Sequence, residues 1–148
     1  MARYTVTRTL PYTPEQLFDL VGDVARYPEF VPWVTHMQVS NQRSEGEALS
    51  ALDAEAGVGF SFLRERFSTR VRRNAAAKTI DVGLISGPFR RLENHWSFKP
   101  DPAGTRIDFS IDFEFRVRLL DMLLRANFDR AVGKLIACFE GRAKALYG

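Results

Sequence analysis

Cysteine occurs once in these 148 residues, at Cys138, and histidine twice, at His36 and His95. A single thiol excludes an intramolecular disulfide and a cysteine-based metal cluster. Two imidazoles so far apart in sequence leave a metal centre or a histidine-based triad little to build on. No run of eighteen uncharged apolar residues occurs, so no transmembrane helix is expected. Residues 1–10 alternate polar and apolar side chains where a signal peptide would carry an apolar core. Excess charge is slight, 21 Lys and Arg against 18 Asp and Glu for a net +3, which argues for a local basic feature and against DNA as a partner. Repeats, low-complexity tracts and linkers are also missing. With 45% apolar content the chain suits one domain, 1–148, and is expected to be soluble and cytoplasmic, with peripheral contact at an inner membrane as the alternative.

What the chain does have is period. Residues 116–147 lack proline, and at 100° per residue Leu120, Leu124, Phe128, Ala131, Val132, Leu135, Phe139, Ala143 and Leu146 gather on one stripe. This predicts one long C-terminal helix of about 45 Å at about 1.5 Å per residue, enough to cross a small sheet. Residues 3–10 alternate as a first strand. Thr13-Pro14-Glu15-Gln16 supplies an N-cap, a proline at the first helical position and a capping-box Gln for a short helix closed by Gly22. Two prolines and three aromatics in Tyr27-Pro28-Glu29-Phe30-Val31-Pro32-Trp33 predict a helical turn running into a shaped loop.

Thereafter the period is two. Strands are predicted at 34–42 and 47–56, with a turn near Ser44-Glu45-Gly46 and another at residues 57–59. In the strand at 60–73, Leu63, Phe67 and Val71 face one way and Arg64, Arg66, Arg70 and Arg72 the other. Strands at 79–84 and 89–99 follow, the second with Leu92, Trp96 and Phe98 in register. In the last strand Ile107, Phe109, Ile111, Phe113 and Phe115 alternate with Asp108, Ser110, Asp112 and Glu114. An antiparallel sheet with one wet face must bury the other, and only the terminal helix is long enough to cover it. The expected fold is α+β: about seven antiparallel strands curved round a long C-terminal helix, with two short helices after the first strand.

Three motifs carry a family likeness. The first is Pro11-Tyr12-Thr13-Pro14-Glu15-Gln16-Leu17-Phe18 with Asp23-Val24 and the Tyr27-to-Trp33 run. The second is Gly87-Pro88-Phe89 with Leu92, Trp96 and Phe98. The third is Asp112-Phe113-Glu114-Phe115 leading into Leu119-Leu120-Asp121 and residues 128–131. Together they resemble the coenzyme Q-binding START-domain family, within the polyketide cyclase/dehydrase-like group of helix-grip proteins, over nearly the whole chain. The resemblance implies an apolar cavity between sheet and helix that holds ubiquinone or a similar prenylquinone in support of respiratory electron transport, with no other cofactor. A bacterial relative is instead a ribosome-association toxin acting on the large ribosomal subunit, and the motifs do not separate the two.

The expected ligand site comprises Tyr27, Phe30 and Trp33 at a cavity mouth with Phe67, Leu92, Trp96, Phe109, Phe113, Leu124, Phe128 and Leu135 as walls. The quinone head would lie toward the mouth and Trp96. An isoprenoid tail needs area more than directional groups, at about 25 cal/mol per Å² buried, although ordinary core packing would select the same residues. Leu119, Met122 and Leu123 fall opposite the main stripe, fringed by Arg116, Arg118, Arg125 and Arg130. Such a face suits an anionic membrane or a partner chain, or is covered by a loop. Arg64, Arg66, Arg70, Arg72, Arg73, Arg90 and Arg91 read either as a surface for ribosomal RNA phosphates or as a solvated face. Catalysis has little support. Glu65 shares a face with Phe67, where desolvation would raise a carboxyl pKa as in a general acid, and a cyclase or dehydratase is the third reading after carrier and ribosome binder.

Overall fold

The computed structural model describes residues 2–60 and 63–148, apart from the side chains of Ala2, Phe60 and Leu63. The element order is β1 (Ala2–Leu10), α1 (Pro14–Gly22), a 3-10 turn (Val24–Glu29), β2 (Val34–Ser44), β3 (Leu49–Phe60), β4 (Leu63–Asn74), β5 (Thr79–Ser86), β6 (Phe89–Asp101), β7 (Gly104–Phe115), α2 (Arg118–Ala126) and α3 (Phe128–Tyr147). The seven strands form one antiparallel sheet in the order β1-β7-β6-β5-β4-β3-β2. Chain neighbours pair throughout, and only β1 reaches across to join β7.

The start of α1 follows from its capping box. Thr13 Oγ1 accepts the Gln16 N–H at 3.1 Å, Gln16 Oε1 accepts the Thr13 N–H at 3.0 Å, and Pro14 opens the helix. That leaves Leu17, Phe18, Leu20 and Val21 free to face the sheet. On β7 the alternation holds: Ile107, Phe109, Phe113 and Phe115 are buried, and register sets Trp96 opposite Phe109 and Leu92 opposite Phe113 on β6. One face of the sheet is therefore an aromatic interior, and the other a polar ladder.

Three expectations need correction. The predicted single helix is two, separated at Asn127 (φ −115°, ψ 11°), whose Nδ2 donates to the Leu123 carbonyl at 2.9 Å. Asparagine bonds its own backbone readily enough to end a helix without proline or glycine. The break re-phases the stripe: α3 buries Phe128, Val132, Ile136, Phe139 and Ala143, while Leu146 is exposed. Ile136 was absent from the predicted stripe.

The turn expected at residues 57–59 is strand. Gly57 and Gly59 pair with β4, and a Cβ on Gly57 would come within 2.9 Å of His36 Cβ, so glycine there lets β2 approach beside a bulge. Ser61, Phe62 and the Leu63 side chain, which the sequence assigned to the next strand, lie outside the described residues. Arg73, expected with the outward arginines, turns to the α1 side instead. Its Nη1 donates to the Gly22 carbonyl at 2.9 Å and its Nε to Ser50 Oγ at 3.3 Å, satisfying the helix C-terminus.

Candidate functional site

The inner face gathers most of the predicted ligand residues. One chain of rings runs from Phe67 to Phe89 (5.3 Å between centroids), on to Phe115 (4.4 Å), Phe113 (6.2 Å) and Phe128 (5.0 Å), and ends on Tyr4 (4.1 Å). A second joins Phe30 and Tyr27 through Phe139 to Trp96 and Phe109 at 4.3–5.5 Å. Leu92, Trp96, Phe109, Phe113 and Phe128 are buried, whereas Phe67, Leu124 and Leu135 pack on the core while retaining partial exposure. Met37, Val39, Val82, Leu84 and Leu120 share that state. On β3 two successive inward positions between Leu52 and Val58 are the small Ala54 and Ala56, opposite Thr69 and Phe67. Partly buried apolar side chains occur on β2, β4 and β5 at Met37, Val39, Phe67, Val82 and Leu84, whereas Leu92, Trp96, Phe98, Ile107, Phe109, Phe113 and Phe115 on β6 and β7 are buried.

One polar group on this face escaped the sequence analysis. Asn94 stands opposite Ile111, between Leu92 and Trp96 on the inward row, and its Oδ1 accepts the Trp96 indole N–H at 3.2 Å. With the oxygen engaged, its amide N–H groups are the donors available to a carbonyl ligand. The signal was the period itself: an amide where Leu92, Trp96 and Phe98 require an apolar residue.

The 27–33 loop is held closed. The Tyr27 hydroxyl donates to the Val21 carbonyl, and burial, with Asp23 nearby, pushes its pKa upward so that it remains a neutral donor. Arg142 Nη2 reaches Glu29 Oε1 at 2.8 Å while its guanidinium lies 5.1 Å from the Phe30 ring centre, tying the loop to α3. Trp33 is half-buried at the other end of the loop, its carbonyl accepting the Gly59 N–H at 2.9 Å.

On α2 the predicted apolar back face is open: Leu119 is 64% exposed, Met122 61% and Leu123 37%. Arg116 and Arg118 are exposed beside them, and Arg125 ion-pairs Asp121 at 2.7 Å. Glu65 lies half-buried at the inward position opposite Val58. Cys138 is half-buried in α3, and burial pushes its thiol pKa up, away from thiolate chemistry.

The outer face is a lattice of charge. Arg70 meets Asp53 at 3.1 Å, Arg72 meets Glu45 at 3.2 Å, and Arg66 shares Glu55 with His36. Arg91 bonds Asp112 at 3.1 Å, Arg90 lies 3.5 Å from Glu114, and His95 Nδ1 is 2.5 Å from Asp81 Oδ1. Both histidines are thus placed by carboxylates on separate strands, β2 and β6.

Relatives of the chain include proteins of two different names. The ribosome association toxin RatA of Rickettsia prowazekii is 35% identical over 147 residues, covering 97% of each chain. The mitochondrial coenzyme Q-binding protein COQ10 homolog B of Xenopus laevis is 30% identical over 149 residues, 98% of this chain and 59% of that one. The solution structure of an 18 kDa protein of Caulobacter crescentus superposes with a TM-score of 0.86 at 60% identity, covering 100% of this chain and 99% of that one. Residues 10–140 match the family described as polyketide cyclase / dehydrase and lipid transport, and the chain belongs to that family, with the START-type helix-grip fold.

Proposed function

We propose that this protein is a non-enzymatic carrier of a prenylated quinone. The supporting observation is the unevenly covered inner face. Aromatic rings wall it, Ala54 and Ala56 place only methyl groups on it, and Phe67, Leu84, Leu120 and Leu124 pack on the core without being sealed. The isoprenoid tail lies along these residues and Leu135, held by apolar area. The quinone ring sits near Asn94 and Trp96, a carbonyl oxygen accepting from the Asn94 amide. Tyr27 and Phe30 close the end nearest Phe139. Leu119, Met122 and Leu123 rest on the membrane surface with Arg116 and Arg118 toward anionic headgroups, which brings the ligand's source beside α2. The lipid-transport description of the family and the name of the Xenopus relative agree with this reading.

Quinones quench indole fluorescence on contact, so titrating a short-tailed ubiquinone analogue against the intrinsic tryptophan signal tests it. Saturable quenching is expected, weakened at least about tenfold in a folded Leu124→Asp variant. Unaltered binding in that variant would refute the site.

A second reading, association with the ribosome, is favoured by the names of several relatives and by the outward arginines of β4. Charge reversal at Arg70 and Arg72 would then abolish cosedimentation with large subunits while leaving quinone binding intact.

A further inference from the structure

The outer face holds a hollow that the quinone reading does not use and that the ribosome reading touches only at Arg70 and Arg72. One rung of the sheet runs Arg3, Asp112, Glu93, Gly83, Arg70, each Cα opposite the next on β1, β7, β6, β5 and β4. At its centre Gly83 contributes no side chain, and a Cβ built there would meet nothing within 4 Å. The β5–β6 ladder also ends at this rung. Gly83 opposite Glu93 is the last pair, after which Leu84 pairs with β4 and Leu92 with β7. The missing side chain and the parting strands open a hollow of about 570 Å³, within the range of small-ligand sites.

Its walls are rich in guanidiniums, of which Arg70, Arg72 and Arg90 pair with Asp53, Glu45 and Glu114 at its margins. Five guanidiniums line it against the carboxylates of Asp81, Glu93 and Asp112. Arg3 has no ion-pair partner among the described residues. Arg91 bonds Asp112 through Nε at 3.1 Å, but its buried Nη2, also 3.1 Å from that carboxylate, is not aligned to donate to it. A buried N–H without an acceptor costs free energy that an incoming oxygen recovers, and a phosphate presents several oxygens to a guanidinium fork. Glu93 is exposed, with no basic partner among the described residues, and so accepts from hydroxyl or amino donors.

We propose that this hollow binds a nucleotide. The phosphate sits on Arg3, Arg90 and Arg91, the ribose hydroxyls donate to Glu93, and the base lies over Gly83 in the space its missing side chain leaves. A free nucleotide and a nucleotide within RNA share this chemistry.

The test is an amide-resonance titration of the full-length chain with AMP, inorganic phosphate and hexa-adenylate, following Gly83 and Glu93. AMP is expected to give a saturable shift at least about tenfold tighter than inorganic phosphate, weakening as salt rises. Gly83→Leu, which plugs open space on the outer face, should weaken it at least about tenfold with an unchanged melting curve. If that variant fails to fold, the exposed substitutions Glu93→Gln and Arg90→Ala carry the test with the same expected loss. Tighter AMP identifies a free nucleotide and tighter hexa-adenylate an RNA chain, both consistent with the site. No saturable shift at Gly83, equal affinity for AMP and inorganic phosphate, or wild-type affinity in the folded variants would overturn the proposal.

Discussion

The carboxylate of Asp121, buried in the first turn of α2, accepts the backbone N–H of Phe115 at 3.1 Å. It joins the end of the last strand to the helix that carries the exposed Leu119, Met122 and Leu123, and it fixes how that helix leaves the sheet. Asp121→Ala would leave a buried N–H without an acceptor and Arg125 without its counter-charge. Urea unfolding should show a loss of about 1–3 kcal/mol. Asp121→Asn, which keeps an oxygen for Phe115, should lose less.

Glycines in this chain divide by geometry, and their alanine variants should divide the same way. Gly87 has φ +149°, and a Cβ there would stand 2.5 Å from Phe67 Cβ. Gly87→Ala should cost about 1–3 kcal/mol from backbone strain, with the clash adding to it. Gly141, exposed in mid-helix with nothing within 4 Å of its Cβ position, should gain about 0.5–1 kcal/mol as Gly141→Ala. Thermal melts of the two variants check both signs.

Burial separates the two apolar faces of the C-terminal helices. Phe128 stacks between Tyr4 at 4.1 Å and Phe113 at 5.0 Å, so Phe128→Ala should cost about 3–5 kcal/mol. Met122 is 61% exposed, and Met122→Ser should change stability by less than about 0.5 kcal/mol. The same serine should reduce sedimentation with anionic vesicles if α2 meets a membrane.

Acid should weaken the outer lattice. Hydrogen bonds from Arg70 at 3.1 Å and Asn41 at 3.2 Å hold the Asp53 carboxyl below its usual range. Its native pKa is lower than its unfolded one, so its stabilising contribution is present above about pH 4 and is lost as pH falls through the native value. Wild type should therefore lose more stability than Asp53→Asn between about pH 5 and pH 2. Asp19 has the opposite sign: burial and Glu15 raise its pKa, so its ionised form is disfavoured in the native state and protonation relieves it.

Much of the fold was legible because its elements declare their periods locally. The alternation from Ile107 to Phe115 and the Thr13–Gln16 capping box needed no tertiary information. Asn127 was not legible as a break, because a lone asparagine inside an apolar stripe is tolerated in many helices and only packing decides where it stops one. Arg73 follows an arginine-rich run whose outward face was correct, and its inward turn depends on the carbonyl of Gly22, fifty-one residues earlier. The aromatic inner residues were legible as a set, but which ones stay partly open depends on tertiary packing that local period does not carry. Asn94 was readable in principle as the odd member of an apolar row. The hollow at Gly83 was not, since it arises where five strands align in register.

The central claim is that the unsealed inner face holds a prenylquinone. The direct measurement is organic extraction and mass spectrometry of the protein purified from its own host without detergent. The account predicts a prenylquinone near one per chain, absent from a folded Leu124→Asp preparation. A protein that arrives empty and takes up no added quinone would contradict it.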